Sequence, residues 1–151
     1  MKIEYKKLEN EEYVNQCDFL LTKLIQSEKI WNDNINEYFL VKDYFINIYK
    51  NKNNIIYFAQ DQEKVIGYVY AKINWDNSSK EREALLDSIY VLPEYRNNDV
   101  GKNLIGLIEK ELKSKNIKYL NLNVIKDNIG ARNFYKQLKF QEYGIILRKN
   151  I

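Results

Sequence analysis

The chain has no histidine, one cysteine (Cys17) and one proline (Pro93) among its 151 residues. Without histidine, Ser-His-Asp and Cys-His nucleophilic sites are excluded, as is any zinc site built on imidazole, and no metal site is expected. The usual general base near neutral pH is missing too. Acid–base work falls to carboxylates, lysines, the single thiol or some of the 13 tyrosines. A lone cysteine closes no internal disulfide, which argues against a stapled secreted domain. No apolar run approaches the ~18 residues that span a bilayer, and Met1–Tyr5 lacks the apolar core of a signal peptide. A cytoplasmic location, with no membrane partner, is the expectation. There is no repeat, low-complexity tract or Gly/Ser/Pro-rich linker, so residues 1–151 read as a single domain.

What is present is an ordinary globular composition, 45% hydrophobic and 30% charged. The net charge of +3 comes from 24 basic and 21 acidic residues. They are interspersed rather than gathered into a stripe, which argues against nucleic-acid binding. Periodicity supplies the elements. Lys2–Leu8 alternates as a strand. Asn10 caps a helix burying Tyr13, Cys17, Leu20, Leu21, Leu24 and Ile25. A second helix is predicted from about Asn34 to Lys50. Ile55–Ala59 and Val65–Ile73 read as a hairpin. Ala84–Leu92 is a strand ended by Pro93, and Val100, Leu104, Leu107, Ile108 and Leu112 mark a helix over about Asp99–Lys115. Ile117–Ile125 is a strand, Ala131–Leu138 a short helix, and Phe140–Arg148 a closing strand. The order β-α-α-β-β-β-α-β-α-β predicts an α/β (α+β) domain, a mixed twisted sheet flanked by helices. Ala84–Leu92, the next helix and Ile117–Ile125 form a parallel crossover.

The most informative stretch is Leu86–Lys102, LDSIYVLPEYRNNDVGK. A strand ends at Pro93, a polar turn follows, and a helix starts near Asp99. Helix N-termini expose unpaired N–H groups that suit phosphate oxygens. Gly101 allows a close backbone approach, and Arg96 and Lys102 add countercharge. A second segment, Asn128 to Tyr135, begins where the next strand ends. It places Asn128 at a turn and Tyr135 on the helix face of Ala131. An ordinary strand-turn-helix connection and a packed core tyrosine are the alternatives at these two places.

These segments resemble the GCN5-related N-acetyltransferase (GNAT) superfamily. The family's phosphate-loop pattern, Arg/Gln-x-x-Gly-x-Gly/Ala, matches Arg96 and Gly101, and Ile89–Arg96 is similar to its central strand and turn. The pattern Asn-x-x-Ala-x-x-Phe-Tyr matches Asn128, Ala131, Phe134 and Tyr135. The resemblance implies that acetyl-CoA lies in a splay between the Ala84–Leu92 and Ile117–Ile125 strands. Main-chain groups of Ile89 and Val91, beside Tyr90, would pair with the pantetheine arm. N–H groups of Asn97, Asn98, Asp99, Val100, Gly101 and Lys102 would hold the pyrophosphate with Arg96, and Asn128 and Ala131 would also meet the cofactor. One position departs from the family: Asp99 stands where the loop has its first glycine. It is expected either to cap the helix or to compete with phosphate, partly neutralised by Lys102 or Arg96.

The resemblance also implies direct attack of an amine on the thioester, with no acyl-enzyme. Tyr135 is the candidate general acid. Asp87 is the candidate base, alternating with Leu85, Ile89 and Val91 as a carboxylate on an apolar face; a β-bulge there would reverse that facing, and Glu83 stands in reserve. Members acting on small amines place an acid at a matching distance before the loop arginine. The acceptor pocket is expected among Glu28, Trp31, Asp33, Trp75, Asp76 and Tyr90, with Asp87, where aromatic and acidic groups would hold an ammonium. A small cationic amine (polyamine, aminoglycoside or amino-acid derivative) is the leading acceptor class. A protein N-terminus or lysine is the rival, and a non-catalytic acyl-CoA-binding regulatory module is the reading from another class. Phe140–Arg148 is placed to pair across subunits, which leaves a homodimer open.

Overall fold

The computed structural model describes residues 2–151. Five strands form one sheet in the order β1 (Ile3–Lys7), β2 (Asn54–Asp61), β3 (Lys64–Asn74), β4 (Glu83–Val91) and β5 (Tyr119–Asn121). The first four are antiparallel to their neighbours, and β5 runs parallel to β4. The hairpin between β2 and β3 turns at Gln62, which adopts φ 56°.

Helix α1 (Val14–Ser27) follows a 3₁₀ turn at Glu11–Tyr13, where the Asn10 carboxamide accepts from Glu12 N–H at 2.9 Å. It buries Val14, Cys17, Leu20 and Leu21 and lies over β3 and β4. Helix α3 (Val100–Ser114) lies over β2, β3 and β4 and buries Val100, Leu104, Ile105, Ile108 and Leu112. Between them, Phe45, Phe58, Ile66, Tyr68 and Val69 fill the interior. Each apolar side chain so buried contributes roughly 1.5–3 kcal/mol. Cys17 is fully buried, and burial first and the Asp18 charge second push its thiol up to about 12. It is a core residue and no nucleophile.

Three elements differ from their sequence expectation. The helix over Asn34–Lys50 shrinks to α2 (Tyr44–Ile48). Asn32 and Asn36 accept backbone N–H groups of Asn34 and Tyr38, each at 3.0 Å, and such side-chain turns compete with helical hydrogen bonds. The buried Asp18 carboxylate then fixes α2, accepting from Phe45 N–H at 3.0 Å. The strand over Ile117–Ile125 keeps only Tyr119–Asn121 in the ladder. The closing strand over Phe140–Arg148 does not form, so the element order ends at α4 (Ile129–Gln137). Phe140 is half-buried, and among the described residues 141–151 are exposed and pair with no strand.

Candidate active site

β5 accompanies β4 only at its start, with Glu83 beside Tyr119, Ala84 beside Leu120 and Leu85 beside Asn121. From Leu86 to Val91, β4 has β3 on one side and, among the described residues, no strand on the other. The direction of the peptide groups along this open edge follows from one hydrogen bond. Leu92 N–H donates to Ile66 of β3 at 2.9 Å. Peptide groups alternate along a strand, so those of Val91 and Ile89 turn into the gap. The Val91 carbonyl accepts there from Arg96 Nε at 2.8 Å, and the Arg96 guanidinium lies 5.2 Å from the centre of the Tyr90 ring.

The gap leads to the turn before α3. Pro93 opens a 3₁₀ turn, and the loop reaches α3 through Asn97 and Asp99, at φ 64° and 59°. Among the described residues, the N–H groups of Asn97 through Lys102 make no hydrogen bond within the chain. The Asn98 carboxamide ties the loop together, donating to the carbonyls of Tyr95 and Arg96 at 3.3 and 3.0 Å. Asp99 does not cap α3, because its side chain accepts no hydrogen bond from the helix. Neither Arg96 nor Lys102 is paired with it among the described residues. It occupies a left-handed position that favours glycine. Gly101 has no positive φ. Its requirement is spatial: a Cβ there would lie 3.0 Å from Phe134 Cζ, where α4 crosses the start of α3.

Asn128 caps α4, its Oδ1 accepting from Ala131 N–H at 3.1 Å. The Asn128 oxygen and the Ala131 N–H are thereby used, and the Asn128 amino group remains to donate. Tyr135 packs its ring against Phe134 and Phe140, with centroids 5.3 and 5.7 Å away. Burial first, then the Glu28 charge, push its phenol up to about 12.

On the α1 side of the gap lies a cavity of about 420 Å³, lined by Leu21, Leu24, Ile25 and Glu28 of α1 and its end, by Phe39, Val41, Lys42 and Tyr44, and by Asp87 and Ser88 of β4. Asp87 is the extra residue of a β-bulge, since Leu86 pairs with Ala71 and Ser88 with Tyr70. The bulge puts Asp87 at the cavity instead of in the alternation with Ile89 and Val91. Its Oδ1 lies 3.9 Å from Lys72 Nζ. Ser88 Oγ accepts from Tyr68 at 2.9 Å, leaving its own proton to donate. Burial holds the Glu28 carboxyl above its usual range. Glu28 raises the Tyr135 phenol, which places cavity wall and phenol near one another.

Of the expected acceptor residues, Glu28 and Asp87 line this cavity; Trp31, Asp33, Trp75 and Tyr90 do not. Trp75 is 69% exposed in the β3–β4 loop, and Asp76 closes a local turn onto Ser78 N–H at 2.8 Å. Tyr90 is buried beneath Arg96. In the sequence Leu21, Leu24 and Ile25 read only as buried positions of one helical stripe, and of this α1 wall Glu28 alone was expected in the pocket. Phe39, Val41 and Tyr44 carried no such signal.

A parallel pair that parts after three residues, beside a glycine-poor loop of free N–H groups opening a helix, sits within a mixed sheet flanked by helices. The chain belongs to the Acetyltransferase (GNAT) family, whose profile matches residues 19–140. An uncharacterised N-acetyltransferase of Methanocaldococcus jannaschii is 29% identical over 104 residues, 68% of this chain and 46% of that one. The chain spans about half the length of the curated relatives it matches. A mutant of a Bacillus halodurans protein superposes with a TM-score of 0.84 at 16% identity, covering 100% of this chain and 99% of that one. An aminoglycoside N-acetyltransferase solved with CoA gives 0.75 at 17% identity, covering 99% and 95%. Both structures share the fold.

Proposed function

We propose that this chain is an acetyl-CoA-dependent N-acetyltransferase acting on a small cationic amine. The observation that carries the reading is the open edge of β4, with the peptide groups of Ile89 and Val91 facing it and the free N–H groups of Asn97–Lys102 at its end. An amide-bearing arm fits beside the first, and a pyrophosphate fits the second. Arg96 now holds the Val91 carbonyl, so it must release that acceptor to a bound arm, and its charge then becomes available to phosphate. Asn128 offers its amino group from the facing turn. Acetyl-CoA supplies the thioester on which the amine acts; everything else falls to the chain.

The cavity size is within the range of small-molecule sites. Glu28 and Asp87 attract an ammonium, while Phe39, Tyr44 and the α1 leucines enclose its apolar body. Asp87 takes the proton that the ammonium must lose before attack, directly or through water. Tyr135, neutral throughout the working pH range, donates a hydrogen bond toward the departing sulfur. Complete proton transfer from a phenol at about 12 to a thiolate whose thiol sits near ~8.5 is uphill by about 5 kcal/mol. Its role is therefore to stabilise the leaving group by a hydrogen bond.

We place the protein in the cytoplasm as one domain; among the described residues no helix is long and apolar enough to cross a membrane. A panel of polyamines, aminoglycosides, amino-acid amides and peptides with free N-termini, read by thiol release, tests the acceptor class. Turnover confined to the peptides would favour a protein acetyltransferase. CoA binding with no turnover on any amine would favour the regulatory module.

A further inference from the structure

Most of the cavity beside the open edge of β4 is walled by carbon. Leu21, Leu24 and Ile25 come from α1, and Phe39, Val41 and Tyr44 from the segment that leads into α2. That segment is tied down by its backbone. Val41 N–H donates to Thr22 Oγ1 at 2.9 Å and Phe45 N–H to Asp18 Oδ1 at 3.0 Å. The Thr22 hydroxyl in turn donates to the Asp18 carbonyl at 3.0 Å. The two N–H groups are thereby spent on α1. Apart from the charged residues, the hydrogen-bonding side chains of the lining are Tyr44 and Ser88, and the Ser88 hydroxyl already accepts from Tyr68 at 2.9 Å. A hydroxyl-rich amine entering here loses its water and regains few partners. An apolar body gains by its burial.

Charge sets a second limit. Glu28 and Asp87 are the acids of the lining and Lys42 is its base. Lys42 offsets one of the two acids. From β3, Lys72 Nζ draws further on Asp87, 3.9 Å from its Oδ1. Glu28 has no ion pair among the described residues. What remains balances a single ammonium. A second or third ammonium would give up hydration that no free carboxylate offsets.

With this cavity as the acceptor site of the function proposed above, we propose that the acceptor is an apolar monoamine: one primary ammonium on a hydrocarbon or aromatic body, in preference to a polyamine or an aminoglycoside. The ammonium pairs with Glu28 and Asp87, and the body packs among the α1 leucines, Phe39 and Val41. The nitrogen bonds the acetyl carbon as the bond from that carbon to sulfur breaks. Of the two protons the ammonium loses, one passes to solvent through Asp87 and one ends on the thiol.

Thiol release from acetyl-CoA, measured as kcat/KM on matched amines, tests this. From butylamine to hexylamine the value should rise about fourfold per added methylene. Hexane-1,6-diamine should fall about tenfold below hexylamine, and kanamycin about a hundredfold. Lys42→Glu, an exposed substitution, should raise the diamine about tenfold relative to hexylamine. A diamine or kanamycin preferred by the wild type overturns the apolar monoamine and leaves the acetyltransferase reading standing. So does a diamine-to-hexylamine ratio unmoved by Lys42→Glu. CoA binding with no thiol release on any of these amines overturns the acetyltransferase reading, and the monoamine with it.

Discussion

Gly101 at the start of α3 faces the tip of the Phe134 ring on α4 so closely that a Cβ would sit 3.0 Å from Phe134 Cζ, and the ring would have to give by a few tenths of an ångström. The two segments that carry the family's patterns thus meet at Gly101 and Phe134. Gly101→Ala should cost about 1–2 kcal/mol of stability in urea denaturation and displace α4, with Tyr135 on it. Adding Phe134→Leu removes the clashing ring tip and should recover most of the lost activity. Failure of the double variant to recover any would mean that Gly101 serves the ligand alone.

Asp99 holds a left-handed backbone position with no cap bond and no ion pair, beside free N–H groups. Asp99→Gly should stabilise the fold by about 1 kcal/mol by relieving that conformation. It should also tighten CoA binding by about three- to tenfold by removing an unpaired carboxylate. Calorimetric titration measures the second effect; unchanged affinity would mean that the carboxylate points away from the phosphates.

Tyr135→Phe should lower kcat by on the order of a hundredfold while leaving the CoA dissociation constant within about twofold, since the ring packing on Phe134 and Phe140 survives. Because the phenol lies near 12, the wild-type rate should show no loss from Tyr135 ionisation up to about pH 10. A full-rate Phe variant would remove Tyr135 from the chemistry.

Stability should decline at both ends of the pH scale. Burial raises the phenols of Tyr57, Tyr68, Tyr70 and Tyr135. The unfolded chain therefore ionises first, and stability present below about pH 10 is lost as pH rises toward the folded values. In acid, the relevant group is Glu111. Burial alone would raise its carboxyl, but hydrogen bonds from Lys115, Lys7 and Tyr57 bring it below the usual range. That contribution is complete above about pH 4.5 and is lost as pH falls through the folded value. Urea midpoints against pH, for the wild type and Glu111→Gln, should converge in acid.

Much of this arrangement was legible in the sequence. The α1 stripe, the hairpin, the strand ending at Pro93 and the helix after Asp99 all follow from apolar spacing and local punctuation. The Asp87 bulge was not, because it depends on how β4 registers against β3, a relation between distant residues. The cavity wall at Phe39, Val41 and Tyr44 was hidden for a similar reason: Asn32 and Asn36 break the helical pattern, and Asp18 and Thr22 rebuild the segment through bonds to Phe45 and Val41. The strand pattern of Phe140–Arg148 was readable, but periodicity alone could not say that this segment stays outside the sheet.

With no histidine in the chain, the proposed function assigns the chemistry to Asp87, Glu28 and Tyr135 around the open edge of β4. The direct measurement is thiol release from acetyl-CoA with a cationic amine, comparing wild type with Asp87→Asn. The account predicts saturable release matched by acetylated amine, reduced by on the order of a hundredfold in kcat/KM at neutral pH for the variant, with CoA affinity retained. CoA binding by the wild type without thiol release on any amine would contradict it.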